Sequence, residues 1–241
     1  MKTMTTDNDF FAQVRGGIEW AVEDLPGGRI ESGRVLSESG AVNLERDASL
    51  SGGDGYEIAS GGGEFTIRAG RPSGFLSGLL NLSESLRIGA RVAPRRVEPV
   101  FKSRFYKHEA NIVGPGYGHT WVAELDEAFW VDYVKVLVRK HFTGLVFYVN
   151  YHPFEYFLDY DRFPEAAGAP ARHRARTLAG LKRAFGVARA FGLKTFMQHY
   201  ITHYPEGLAR KYNLGFSGTG AGSRLSALDH PVIDSYSRYI Y

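Results

Sequence analysis

Cysteine is absent from all 241 residues. That absence removes structural disulfides, thiolate-held metals and cysteine nucleophiles. No apolar run approaches the ~18 residues of a membrane-spanning helix, so no membrane partner is expected. The N-terminal stretch MKTMTTDNDFFAQVRGG has no apolar h-region, so no secretory signal is read there and the cytoplasm is the expected location. Excess charge is small. The 29 Lys and Arg against 26 Asp and Glu give a formal net charge of +3, and without a dense basic stripe this argues against nucleic acid as a partner. Also missing are a Gly-x-Ser-x-Gly elbow, a Walker loop, a dinucleotide fingerprint and a His-Glu-x-x-His zinc motif. No cofactor and no metal are therefore expected.

What is present is an ordinary globular composition, 44% hydrophobic, with enough chain for one to two domains. Aromatic residues make up 14%. Tyr and Trp bury area while keeping a polar handle, which suits carbohydrate faces as well as cores. Phe11, Val14, Ile18, Ala21 and Leu25 fall at helical spacing, so residues 9–25 read as an amphipathic helix. GYEIAS and EFTIRAG alternate as strands, and the SGGG between them makes a hairpin turn. PSGFLSGLLNLSESLRIG reads as a helix with Ser73 as N-cap, Leu76, Leu79, Leu80 and Leu86 on its buried stripe, and Gly89 after its last turn. Gly74 and Gly78, one turn apart, would let that helix sit close on a sheet. RVAPRRVEPVF reads as an interdomain linker.

After residue 100 the rhythm becomes strand, helix, strand. The strands are SRFYKHEANI, GLVFYVNYH and GLKTFMQHY, with helices over 126–142 and 172–191. Alternating units of this kind argue a parallel sheet. LDHPVIDSYSRYIY reads as the start of a further helix, and three such units cannot close a barrel of eight. The expected fold is α/β: a small α+β domain over 1–92, then the first three βα units of an incomplete (β/α)8 TIM barrel over 100–241. The chain is expected to be a fragment of a longer one.

In parallel βα folds, functional groups collect at the C-terminal strand ends, because the loops there face a common cavity. The first strand offers Arg104, Lys107, His108, Glu109 and Asn111. The second offers Asn150, Tyr151, His152 and Glu155, and the third Gln198, His199, Tyr200 and His203. Donors, acceptors and aromatic faces together suit a polyhydroxylated ligand. Leu193, Phe196 and Met197 of the third strand read as core. A divalent ion gathered by His108, His152 and His199 is the metal alternative, though a carboxylate partner for it cannot be placed. A non-catalytic carbohydrate-binding or structural role is the other alternative.

GYEIASGGGEFTIRAGRPSGFLSGLLNLSESL resembles the small α+β domain that precedes the catalytic barrel in β-N-acetylhexosaminidases and α-glucuronidases. The resemblance rests on Gly55, Tyr56 and Ile58; Thr66, Ile67 and Ala69; and Gly74, Gly78 and Leu82. EPVFKSRF is similar to the segment leading into barrel strand one, and Arg104 matches an arginine that contacts sugar hydroxyls in the hexosaminidases. NYHPFE stands where hexosaminidases show H-L-T-D-D-Q, and MQHYITHYPE where they show P-E-I-D-M-P-G-H. The resemblance implies a glycosidase acting on oligosaccharides or glycosides. Arg104, Lys107, His108, Asn150, His152, His199 and Tyr200 would contact the sugar, with His203 and Glu109 as second choices. It implies a general acid near strand four, beyond Tyr241, so that Glu109, Glu155 and Asp159 are not assigned the catalytic role.

Overall fold

The computed structural model describes residues 3–4, 9–50, 54–101, 103–116, 120–148, 156, 162–198, 205–212 and 231. The chain is mixed α/β and divides into two compact units, each built from several chain segments. The first contains residues 1–106, 127–145 and 184–195; the second contains 107–126, 146–183 and 196–241. No described helix is long and apolar enough to cross a membrane.

In the first unit, β1 (Thr3–Met4) precedes a 3-10 turn, Asp9–Val14, and α1 (Arg15–Glu23). The helix expected over 9–25 thus forms in two pieces, with Phe11, Val14, Ile18, Ala21 and Leu25 all buried as the spacing requires. Three strands follow that the sequence reading does not contain: β2 (Arg29–Glu31), β3 (Arg34–Ser37) and β4 (Gly40–Arg46). Ser32 and Gly33 both have positive φ, 49° and 73°. They join β2 to β3 as a two-residue loop whose twist matches the flanking strands. The expected hairpin is present as β5 (Tyr56–Gly61) and β6 (Glu64–Ala69), turning on Gly62 and Gly63 with φ 62° and 79°.

Next come α2 (Pro72–Arg87) and β7 (Arg95–Val97). The strand order is β2-β3-β4-β6-β5-β7, with β1 on the free half of β4. Among the described residues, β4 and β6 pair parallel and the other pairs of this sheet are antiparallel. The expected linker therefore contributes a strand, since Arg95–Val97 pair with Tyr56–Ile58.

Helix α2 covers β5 and β6. Leu76, Leu79, Leu80 and Leu82 are fully buried there, each contributing roughly 1.5–3 kcal/mol of apolar transfer. A Cβ on Gly74 would lie 2.5 Å from the Gly55 carbonyl oxygen, and one on Gly78 would lie 2.6 Å from Ile67 Cγ2. Both glycines are what let the helix approach the sheet. The N-cap is Arg71 in extended conformation and not Ser73, because Pro72 takes the first helical position, where its missing N–H is harmless.

The first unit also holds α3 (Glu127–Arg139), the last part of α4 (Ala171–Ala190) and the leading residues of β8 (Phe105–Glu109), β9 (Gly144–Tyr148) and β10 (Lys194–Gln198). Asp24, at the end of α1, gathers three cations: Lys135 Nζ at 2.7 Å, Arg139, and Arg87 Nη2 at 3.6 Å. One carboxylate thus ties α1 to α2 and α3. Trp20 stacks on Phe191 with ring centroids 5.4 Å apart.

Helices α2, α3 and α4 share one exit. In each, the residue after the cap donates back three positions and the next donates back five. That pattern needs a left-handed residue, which is Gly89 (φ 65°) after α2 and Gly192 (φ 73°) after α4. After α3 the residue is His141, with φ 61°. A side chain in this region costs roughly 1–2 kcal/mol.

The second unit is built on Trp121. Its indole Nε1 donates to Thr177 Oγ1 at 3.1 Å, its ring stacks on His173 with centroids 4.4 Å apart, and Arg176 lies 4.5 Å over it. Asn111, buried, accepts from the Val113 and Gly114 amides and donates to the Gly114 carbonyl. Its amide, offered by the sequence as a ligand donor, is spent on its own loop. A helix absent from the sequence reading, α5 (Glu206–Tyr212), packs Leu208 into this unit and pairs Lys211 with Glu165 at 3.0 Å. The helix expected over LDHPVIDSYSRYIY lies, except for Pro231, outside the described residues.

Candidate functional site

Strands β8, β9 and β10 form a three-stranded sheet in the order β10-β9-β8. Thr143 N donates to Arg104 O at the start of the β8–β9 pair, and Ala110 N donates to Tyr148 O at its end. Start meets start and end meets end, so these strands are parallel. Helix α3 joins them and α4 leads from β9 to β10, which is the connection parallel strands need.

Alternation decides which side chains can meet one ligand. On β9, Leu145 and Phe147 are fully buried while Val146 and Tyr148 are partly exposed. Lys107 Nζ lies 3.4 Å from the centroid of the Tyr148 ring, so Lys107 shares the open face. His108 packs edge-on against buried Phe147, 5.5 Å between centroids, and so points to the other face. The structure therefore separates Lys107 from His108, although the sequence lists them side by side. Glu109, two residues after Lys107, returns to the open face. On β10, Lys194 N donates to Thr143 O. That register puts Phe196 and Gln198 on the face of Val146 and Tyr148.

Phe196 is 44% exposed. Its expected place in the core is corrected: it stands on the uncovered face of an edge strand, between exposed Lys194 and Gln198. That bracketing by polar residues two positions either side was the available signal. Tyr148 was likewise not among the expected site residues. Asn150, His152, His199 and Tyr200 lie outside the described residues, as do Glu155, Asp159 and His203.

Arg104 has a different surrounding. It precedes β8, at the leading end of the strand. Its guanidinium donates to Asp54 and to the carbonyls of Phe101 and His141. Its own amide donates to Thr143 Oγ1 at 2.8 Å. Asp54 is 3% exposed. His141 stacks on buried Tyr56 with centroids 5.9 Å apart, and its Nδ1 lies 3.6 Å from the Asp54 carboxylate, an ion-pair distance longer than a hydrogen bond. Burial alone would push the Asp54 carboxyl up; the His141 and Arg104 side chains beside it outweigh that and hold it below the usual carboxylate range.

The open face can act in two ways. The Lys107 ammonium over the Tyr148 ring is a cation–π pair that presents a fixed positive donor. Glu109, Gln198 and the Phe196 ring add an acceptor, an amide and an apolar surface. Among the described residues, no group of three or more His, Asp or Glu side chains is placed to hold a metal.

No protein-family model matches the sequence, and no curated protein matches it. Solved structures do match the fold. A GH138 enzyme targeting pectin rhamnogalacturonan II matches with a TM-score of 0.61 at 16% identity, over 81% of this chain and 23% of that one. A mutant Streptomyces plicatus β-hexosaminidase in complex with its product N-acetylglucosamine matches at 0.58 and 14%, over 98% of this chain and 50% of that one. A GH20 exo-β-N-acetylglucosaminidase from Vibrio harveyi in complex with N-acetylglucosamine matches at 0.55 and 13%, over 88% and 35%. The chain thus spans half or less of the length of these structures. At such identities the likeness is one of fold alone, a fold that these glycoside hydrolases contain.

Proposed function

We propose that this chain supplies the sugar-contacting part of a glycosidase acting on oligosaccharides or glycosides, α-glucuronidase-like or β-N-acetylhexosaminidase-like. In this reading a small α+β domain leads into the first three βα units of a (β/α)8 barrel. The observation that carries it is the open strand face, where Lys107 sits on the Tyr148 ring beside Glu109, Phe196 and Gln198. A pyranose offers an apolar C–H face to an aromatic ring and hydroxyls around its rim to an ammonium, a carboxylate and an amide. Asn150, His152, His199 and Tyr200 follow β9 and β10 in the chain and are proposed to complete that contact. Arg104 and His108 take a supporting part, Arg104 by anchoring the segment that leads into β8 and His108 by packing on buried Phe147. Glycoside hydrolysis requires a carboxylic acid to protonate the leaving oxygen, and none of these residues is assigned that part.

Titration of N-acetylglucosamine and of glucuronate into the 241-residue chain, read by calorimetry or by NMR shifts, tests the reading. Saturable binding of one sugar should weaken about tenfold in Lys107→Ala, the scale of one lost charge-assisted hydrogen bond. Equal binding by wild type and Lys107→Ala, or none by wild type, would remove the open face from any sugar site.

A further inference from the structure

Helix α4 carries charge of one sign. Its 20 residues hold Arg172, Arg174, Arg176, Lys182, Arg183 and Arg189 and no Asp or Glu. Helix α3 shows the ordinary arrangement, with Glu127 in its first turn and Arg139 in its last, as the helix dipole favours. In α4 the first turn has no acid, and Arg172 and Arg174 stand there against the dipole. Arg172 and Arg176 are also four residues apart, a like-charge spacing that weakens a helix. Local rules broken twice, with no acid in the helix to offset them, mark a face kept for something other than stability.

Within the second unit these cations share that face. Arg172, Arg176 and Lys182 are exposed and Arg183 is half-buried, and the exposed residues between them are Ala175 and Ala179. At 3.6 residues per turn all six fall on one arc of the helix, about 16 Å long. None of the four cations has an ion-pair partner among the described residues. Two of them are already held in place: Arg176 lies 4.5 Å over the Trp121 ring, and Arg183 Nη1 donates to the Leu125 carbonyl. A side chain fixed beforehand loses less freedom when it pairs.

What the face lacks selects its partner. It has no aromatic ring on which a base could stack. It has no large apolar group to enter a bilayer or to anchor a protein in a pocket. A polymer that offers negative charge and hydroxyls alone is what its chemistry fits.

We propose that the exposed face of α4 binds an acidic polysaccharide, a linear chain that bears carboxylates. Arg172, Arg176 and Arg183 would take carboxylates through paired N–H donors, Lys182 would add a point charge, and the two alanines would let the chain lie close to the helix. The proposal uses none of the residues of the open strand face and is tested apart from the sugar reading.

The test is polygalacturonate titrated into the full 241-residue chain at low ionic strength, read by calorimetry, beside neutral dextran of equal length. Polygalacturonate should bind, and its affinity should fall as sodium chloride is raised, because exposed charge pairs are screened. Dextran should not bind. In Arg172→Gln/Lys182→Gln the affinity for polygalacturonate should fall about tenfold, while the melting temperature stays unchanged or rises, since neither side chain has an ion pair to lose. Binding that survives the double variant, or no binding by wild type, overturns the proposal. So does a loss that follows Lys107→Ala and spares Arg172→Gln/Lys182→Gln, which would put the polymer on the open strand face. A single-stranded oligonucleotide or phosphatidylserine vesicles bound as tightly as polygalacturonate, with the same loss in the double variant, would make the face one for another class of partner and overturn it as well.

Discussion

Arg104, just before β8, and Lys107, within it, stand three residues apart and have opposite surroundings. Arg104, at the leading end of β8, spends its guanidinium on Asp54 and two backbone carbonyls, within a cluster closed by His141 and Tyr56. Lys107 lies on an aromatic ring with its side chain open. The difference teaches that the leading end of this sheet is built for holding, and the trailing end for presenting. A charge that is buried and matched at one end cannot be removed cheaply; a charge that is exposed at the other can.

The sharpest way to break the contrast is to remove one partner of the buried pair. Asp54→Ala leaves Arg104, whose side chain is 18% exposed, without its counter-charge. It should destabilise the chain by about 3–5 kcal/mol in urea titration. A loss below about 1 kcal/mol would make the Asp54–Arg104 pair no stronger than a surface one. Asp24→Ala comes next. It strips a carboxylate from Lys135 and Arg139, both largely buried, and should cost about 2 kcal/mol by the same measurement.

Acid sharpens the comparison from another side. Because the folded Asp54 carboxyl is held below its ordinary value of 3.8, its contribution is fully present above that value. It disappears as pH falls through the depressed folded value, where the proton must be taken up. Stability measured from pH 6 downward should therefore fall more steeply in wild type than in Asp54→Asn; parallel curves would deny the shift. The smallest effect is expected at the trailing end, where Lys107→Ala should change folding stability by less than about 0.5 kcal/mol. A large destabilisation there would mean that Lys107 too is a structural residue and that the two ends do not differ.

Much of this fold was legible wherever apolar periodicity was strong. Helices α2, α3 and α4, the β5–β6 hairpin and the three later strands all carry it. Strand β2 was not legible, because it runs exposed, intermediate, exposed, and a strand without a buried face has no period to read; β3 and β4 do alternate, with Val35, Val42 and Leu44 buried, a signal that the sequence reading passed over. Strand β7 hid behind its neighbouring prolines and arginines, which resemble linker composition. The candidate site was legible only to the level of which strand ends to inspect. Facing was not, because consecutive residues such as Lys107 and His108 look equal in sequence and diverge only once the pleat is known. The Asp54–Arg104 pair spans 50 residues with no local pattern to announce it.

The exit of α3 carries a consequence of its own. Where α2 and α4 hand the chain on through a glycine that touches nothing chemical, α3 hands it on through an imidazole seated against a buried carboxylate. A glycine exit is a full stop; this one is a linkage. His141 thereby sets the end of α3 beside the acid that holds Arg104 ahead of β8, so that one residue closes the helix and joins a buried charge cluster.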